Sequence, residues 1–183
     1  MTAIYIIRHC AARGQEPDAE LTEHGKKQAV ELAGFLADAN INRIVSSPYA
    51  RAVQSTEPLA EALGIEIETD EHLKERVLSS SDLPDWLEQL KSTFDDHDLA
   101  LEGGESSQQA LDRISQVVDE LKNSGCQTAA IVTHGNIMAL LLSRYIEGFG
   151  FKGWRSLSNP DVFLLNEGPR EPECKRLWNK ATR

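Results

Sequence analysis

The sequence predicts an α/β fold, a three-layer α/β/α sandwich with a mostly parallel central sheet. Two observations carry this. Short runs rich in β-branched residues recur along the chain, and most gaps between them hold apolar residues at helical spacing. Strands that alternate with helices form crossover units, and such units build a parallel sheet covered on both faces.

The first element, residues 3–8 (AIYIIR), is an apolar β-branched run and reads as a buried strand. After a polar loop, residues 22–39 predict a helix with Ala29, Leu32, Ala33, Leu36 and Ala37 on one face. Residues 42–46 (NRIVS) form a second short strand. Ser47-Pro48 then predicts a helix start, with Ser47 as the cap and Pro48 at the first helical position. That helix runs to Leu63, where Gly64 stops it. Residues 65–69 alternate as a strand does.

Patterning weakens over 70–104, although 83–94 predicts a helix. Ser106 and Gln109 form a capping box for an amphipathic helix carrying Leu111, Ile114, Val118 and Leu121. Residues 128–133 (TAAIVT) are another buried strand, followed directly by an apolar helix over 135–146. Residues 161–165 and 176–178 are expected to pair as a closing hairpin. No internal repeat, low-complexity tract or linker interrupts the chain, so a single domain over 1–183 is expected.

Composition narrows the function classes. Hydrophobic residues make up 40% and charged residues 26%, which fits an ordinary globular domain. The longest apolar run, near residues 137–142, is far too short to span a bilayer. The N-terminus lacks the basic, apolar and small-residue regions of a signal peptide, so a cytoplasmic location is expected. Three cysteines, Cys10, Cys126 and Cys174, form neither a disulfide framework nor a zinc pattern. A formal charge of −10 with no basic run argues against nucleic acid or an anionic membrane as partner. A small phosphorylated substrate stays compatible, because a cleft with two buried arginines is a local matter. Oligomeric state and natural substrate are not legible.

Chemistry concentrates at strand ends. His9 closes the first strand and His134 closes the strand before the last long helix. In open parallel sheets, ligand sites lie beyond the carboxyl ends of the strands, so both imidazoles are delivered to one edge. A lone histidine is more often structural, but here both follow buried strands and Arg8 directly precedes His9. A third strand ends at Ser46-Ser47-Pro48, with Arg51 in the first turn of the next helix. A helix N-terminus favours anions, so an arginine there makes sense beside a bound anion. Spacing alone equally allows a solvent-facing arginine.

Other clusters carry less. A cysteine phosphatase needs C-x-x-x-x-x-R, yet Glu16 stands at that arginine position and Arg13 comes too early. Cys10 beside Arg8 raises the idea of an oxidant-sensitive thiolate, with a small buried filler as the favoured reading. Asp95-Asp96-His97-Asp98 fails as an EF-hand, since Leu101 and Ser107 stand where glycine and glutamate are required. It reads as a solvated helix end. His24 and His72 read as surface residues, and Trp86, Phe94 and Arg13 as candidates to line a pocket.

Taken in order, Arg8-His9-Cys10, Leu21-Thr22-x-x-Gly25-x-x-Gln28-Ala29, Ser46-Ser47-Pro48-x-x-Arg51-Ala52-x-x-Thr56, Leu73-x-Glu75-Arg76, Gly103-Gly104-Glu105-Ser106 and Thr133-His134-Gly135 resemble the histidine phosphatase (phosphoglycerate mutase-like) superfamily. The resemblance spans nearly the whole chain, and its departure is Cys10, where the family most often has glycine. It implies the phosphoglycerate mutase-like fold and a nucleophilic His9. Arg8, Arg51 and His134 would hold the phosphoryl oxygens, with His134 aided by backbone N–H groups at the helix that begins with Gly135. Neither metal nor cofactor is implied. For the general acid and base, the residues themselves leave Glu68, Asp70, Glu71 and Glu75 open, and the resemblance points to Glu75. Ala11-Ala12-Arg13-Gly14 replaces the polar substrate-binding residues of the longer mutases, which favours a phosphatase. Mutase-type transfer and a non-catalytic phosphate-binding module are the alternatives.

Overall fold

A computed structural model of the chain describes residues 2–168 and 171–178. Its strands are β1 (Ala3–Arg8), β2 (Arg43–Ser46), β3 (Ile67–Thr69), β4 (Thr128–Thr133), β5 (Asp161–Asn166) and β6 (Glu173–Arg176). The helices are α1 (Glu23–Phe35), α2 (Ala50–Leu63), α3 (Trp86–Asp95), α4 (Ser107–Asn123), α5 (Gly135–Ser143) and α6 (Phe151–Ser156), with a 3-10 turn at Glu71–Leu73. One sheet contains the strands in the order β3-β2-β4-β1-β5-β6. β1, β2, β3 and β4 run parallel; β5 and β6 run antiparallel to their neighbours. The expected mostly parallel sandwich is therefore what forms.

Strand alternation sorts the core into two layers. On one face Ile4, Ile6, Ala129, Ile131, Phe163 and Leu165 pack with Ile114, Val118, Ile137 and Leu141 of α4 and α5. On the other, Ile7, Ile44, Ala130, Val132 and Val162 pack with Ala29, Leu32, Ala52 and Leu59 of α1 and α2. The apolar character of β1 and β4 all round follows from this double burial.

Several boundaries differ from expectation for local reasons. α1 stops at Phe35, short of residue 39. α2 starts at Ala50 rather than Pro48: Tyr49 occupies the cap position in extended conformation. Ser47 lies ahead of the helix, where its hydroxyl oxygen accepts the Tyr49 amide at 3.3 Å. Gly64 does end α2, at φ 67°. The Ser106–Gln109 capping box is present in both directions. The second strand of the closing hairpin lies earlier than expected, at Glu173–Arg176 rather than 176–178; Leu177 and Trp178 still donate main-chain N–H groups to the Val162 carbonyl. α6, which no pattern announced, is a short helix without a buried residue. Among the described residues no helix is long and apolar enough to cross a membrane.

Candidate active site

Three parallel strands end side by side, with Arg8 opposite Thr133 and Ser46 opposite Val132. The residues that follow leave the sheet together. The His9 amide bonds the Thr133 carbonyl at 3.1 Å, and the Ser47 amide bonds that of Val132 at 2.8 Å. His9, Ser47 and His134 therefore share one edge because β1, β2 and β4 are neighbours.

His9 is buried, and its Nδ1 lies 2.7 Å from the Cys10 carbonyl oxygen. A carbonyl only accepts, so Nδ1 carries the hydrogen and Nε2 keeps its lone pair. Arg51 Nε–H points at that nitrogen from 3.4 Å. Burial lowers the His9 pKa to about 3; the Cys10 carbonyl pulls it up, and the Arg51 and Arg8 cations push it down. The loop behind it is tied down. Asn159 Nδ2 donates to the His9 carbonyl, Gln28 donates to the Asn159 carbonyl, and Gln28 accepts from the Ala11 amide. Gly25 lets α1 approach, since a Cβ there would overlap the Ala11 carbonyl oxygen.

The guanidinium groups come from two directions. Arg51, fully buried in the first turn of α2, donates Nη1–H to the Glu16 carbonyl at 2.8 Å and lies 5.0 Å from the Tyr49 ring centre. Arg8 reaches the Leu157 and Ser158 carbonyls weakly, at 3.4 and 3.5 Å, and its buried Nε has no partner. Burial lowers both arginines, and the nearby Glu75 carboxylate works in the opposite direction. Gly135 belongs here as the residue that makes room: a Cβ at that position would lie 2.8 to 3.0 Å from the Arg8 guanidinium.

His134 is fully buried, its ring centre 5.1 Å from that of His9 and 5.0 Å from that of Tyr49. Burial holds its pKa well below the ordinary value, and His9 and the cations Arg51, Arg8 and Arg113 depress it further. Glu75 sits beside it. Its Oε2 accepts the Asn136 amide and its Oε1 the Ile137 amide, both at 3.0 Å, while Oε1 also takes the Arg76 amide at 2.8 Å. The first α5 amides, expected to help hold an anion, are thus engaged by a carboxylate of the chain itself. The other acids left open by the sequence are engaged elsewhere. Glu68 forms a two-bond pair with Arg43, Asp70 caps the 3-10 turn, and Glu71 pairs with Lys74.

The structure brings together every residue singled out at the strand ends: Arg8, His9, Arg51, Glu75, His134 and Gly135. Tyr49, Asn136, Asn159 and Arg113 escaped sequence reasoning, because nothing local marks a residue whose partners are far along the chain. Cys10 is fully buried, and burial pushes its thiol pKa up to about 11, with Ser55 countering and Glu31 adding to it. The small buried filler is the reading that fits. Arg13 is exposed and pairs with Glu23, His24 is exposed, and Phe94 packs against the α4–α5 core. His72 is half-buried with Nδ1 2.8 Å from Asp70. Among the described residues no group of His, Cys, Asp or Glu converges in a way that could hold a metal ion.

A buried imidazole with a free Nε2 lone pair, flanked by two guanidiniums and a second imidazole, can attack and hold a tetrahedral oxyanion. Residues 4–180 match the family model described as histidine phosphatase superfamily (branch 1). The chain belongs to that superfamily. Among curated relatives, the probable phosphoglycerate mutase GpmB of Shigella dysenteriae serotype 1 is 26% identical, over 84% of this chain and 78% of that one. A mycobacterial glucosyl-3-phosphoglycerate phosphatase in complex with inorganic phosphate superposes with a TM-score of 0.76 at 25% identity, covering 98% and 97% of the two chains. A phosphoserine phosphatase from Entamoeba histolytica shares the fold at TM-score 0.77, 21% identity and 95% coverage of both chains. The chain is thus similar to proteins named as a phosphoglycerate mutase and as phosphatases.

Proposed function

We propose that the protein is a metal-independent phosphomonoester hydrolase, one domain over 1–183, working through a phosphohistidine on His9. The observation that carries this is the pair of contacts on the His9 ring: Nδ1 committed to the Cys10 carbonyl, and Nε2 left as a lone pair beside Arg51. That ring is neutral and oriented before substrate arrives, as a nucleophile requires.

In the first half-reaction the Nε2 lone pair forms the N–P bond while the bond from phosphorus to the leaving oxygen breaks. Glu75, protonated by the incoming monoester monoanion, passes that proton to the leaving oxygen. Arg8, Arg51 and His134 hold the equatorial oxygens, where charge accumulates. The phosphorylated ring is cationic, and the Cys10 carbonyl on Nδ1–H steadies it. In the second half, water attacks phosphorus, Glu75 takes its proton, the N–P bond breaks and Nε2 regains its lone pair. Inorganic phosphate leaves. The phosphate held by the mycobacterial relative supports a small phosphorylated substrate. Hydrolysis is favoured over mutase-type transfer because Ala11-Ala12-Arg13-Gly14 follows the first motif, and its one polar side chain, Arg13, is exposed and paired with Glu23.

The test is hydrolysis of para-nitrophenyl phosphate with chelator present, by wild type and His9→Ala, with acid-labile, base-stable phosphoprotein trapped by rapid quench. Phosphate release by wild type, with loss of both activity and phosphoprotein in His9→Ala, is expected. Interconversion of phosphoglycerates with little release would replace hydrolase by mutase. Phosphate binding with no turnover by either protein would make the chain a binding module.

A further inference from the structure

His134 has one ring nitrogen with a partner and one without. Its Nε2 lies 2.8 Å from the hydroxyl oxygen of Ser47, while Nδ1 is buried with no hydrogen-bond partner. Ser47 is itself fully buried, and its oxygen accepts the Tyr49 amide at 3.3 Å, at the mouth of α2. These two contacts run in line with the ring: Tyr49 N–H to Ser47 Oγ, Ser47 Oγ to His134 Nε2, and across the ring to Nδ1.

A neutral imidazole carries one hydrogen, and the bond made by one nitrogen decides what the other can do. If Nε2 held the hydrogen, Nδ1 would present a lone pair, and a lone pair repels a phosphoryl oxygen. If Nε2 accepts, Nδ1–H is a donor. A hydroxyl oxygen can accept twice, but the Ser47 hydrogen needs an acceptor of its own, and among the described residues His134 Nε2 is the one it meets. We infer that Ser47 is a positioning residue: its hydroxyl donates to His134 Nε2, fixing the tautomer in which Nδ1–H is offered to the substrate anion. The bound phosphoryl group then supplies the partner that Nδ1 lacks. Ser47 thereby serves His134 as well as the Tyr49 amide, ahead of α2 at Ala50. This inference rests on the phosphatase reading for the identity of the anion, though not for the tautomer.

Two measurements decide it. Nitrogen-15 imidazole spectra of the wild-type protein saturated with inorganic phosphate should show His134 as the Nδ1–H form; an Nε2–H form overturns the inference, with no turnover needed. In kinetics with para-nitrophenyl phosphate, Ser47→Ala should lower kcat/KM roughly tenfold to a hundredfold, the scale of weakening one donor to a developing oxyanion. In a His134→Ala background the same change should cost less than about twofold, because the two residues act as one unit. Equal losses in both backgrounds would mark Ser47 as merely structural and overturn the proposal. If wild type hydrolyses nothing, the phosphatase reading falls, and the tautomer in the presence of phosphate still decides the role of Ser47.

Discussion

Replacing Glu75 with glutamine separates two jobs that its carboxylate would do at once. One is support: it accepts the amides of Arg76, Asn136 and Ile137, tying the loop after the 3-10 turn to the start of α5. The other is the proposed proton transfer. Glutamine keeps one acceptor oxygen but sets an NH2 group against an amide N–H, so support weakens for every substrate alike. Only proton transfer depends on the leaving group. We expect Glu75→Gln to slow hydrolysis of an alkyl phosphate about a hundredfold more than that of para-nitrophenyl phosphate, whose leaving oxygen needs no proton. Parallel kcat/KM measurements on the two substrates check this, and equal losses on both would remove Glu75 from acid–base chemistry.

At the level of elements, the site is held by a partly buried fork that no sequence pattern announced. Arg113 of α4 makes a two-bond pair with Glu105, at 2.7 and 2.8 Å, and donates to the carbonyls of His72 and Lys74 at 2.6 and 2.8 Å and to that of Glu75 at 3.4 Å. Burial raises the Glu105 pKa, but the Arg113 bonds and charge outweigh it and hold the carboxyl below its usual range. Lysine has the charge and lacks the planar fork. Arg113→Lys should therefore lower stability by roughly 1.5 to 3 kcal/mol, the scale of a lost hydrogen bond to a charged group, read as a shift in urea midpoint at constant m-value. An unchanged midpoint would mean that the loop keeps its shape without the fork. This contrast explains what the sequence could tell. β1, β4 and α4 were legible because burial on a sheet or helix face imposes a period, and the α4 start because a capping box is local. His9 and His134 were legible because strand ends converge in a parallel sheet. The α2 start and α6 were not, since no local pattern marks them, and the Arg113 fork was not, since carbonyls some forty residues upstream select it.

Across the whole molecule, charge is distributed against its own average. The chain carries −10 overall, yet the buried Arg51 and the half-buried Arg8 both act on the two site histidines. The two site histidines are kept neutral inside this cationic pocket, and that has a consequence for global stability. An unfolded histidine titrates near 6.5, whereas native His9 titrates at about 3. Between those values the unfolded chain binds a proton that the native state refuses, so stability falls as pH falls from about 6.5 towards 3 and does so no further below 3. His134, shifted the same way, adds to the effect. For His9 alone, the loss between pH 7 and pH 5 is about 2 kcal/mol. Urea unfolding of wild type and His9→Gln at the two pH values measures it: whatever the substitution does to stability at pH 7, the drop on going to pH 5 should be about 2 kcal/mol smaller in the variant. Identical drops in the two proteins would mean that native His9 accepts its proton as readily as the unfolded chain does. It would then not be the buried, pre-oriented neutral ring on which nucleophilic attack depends.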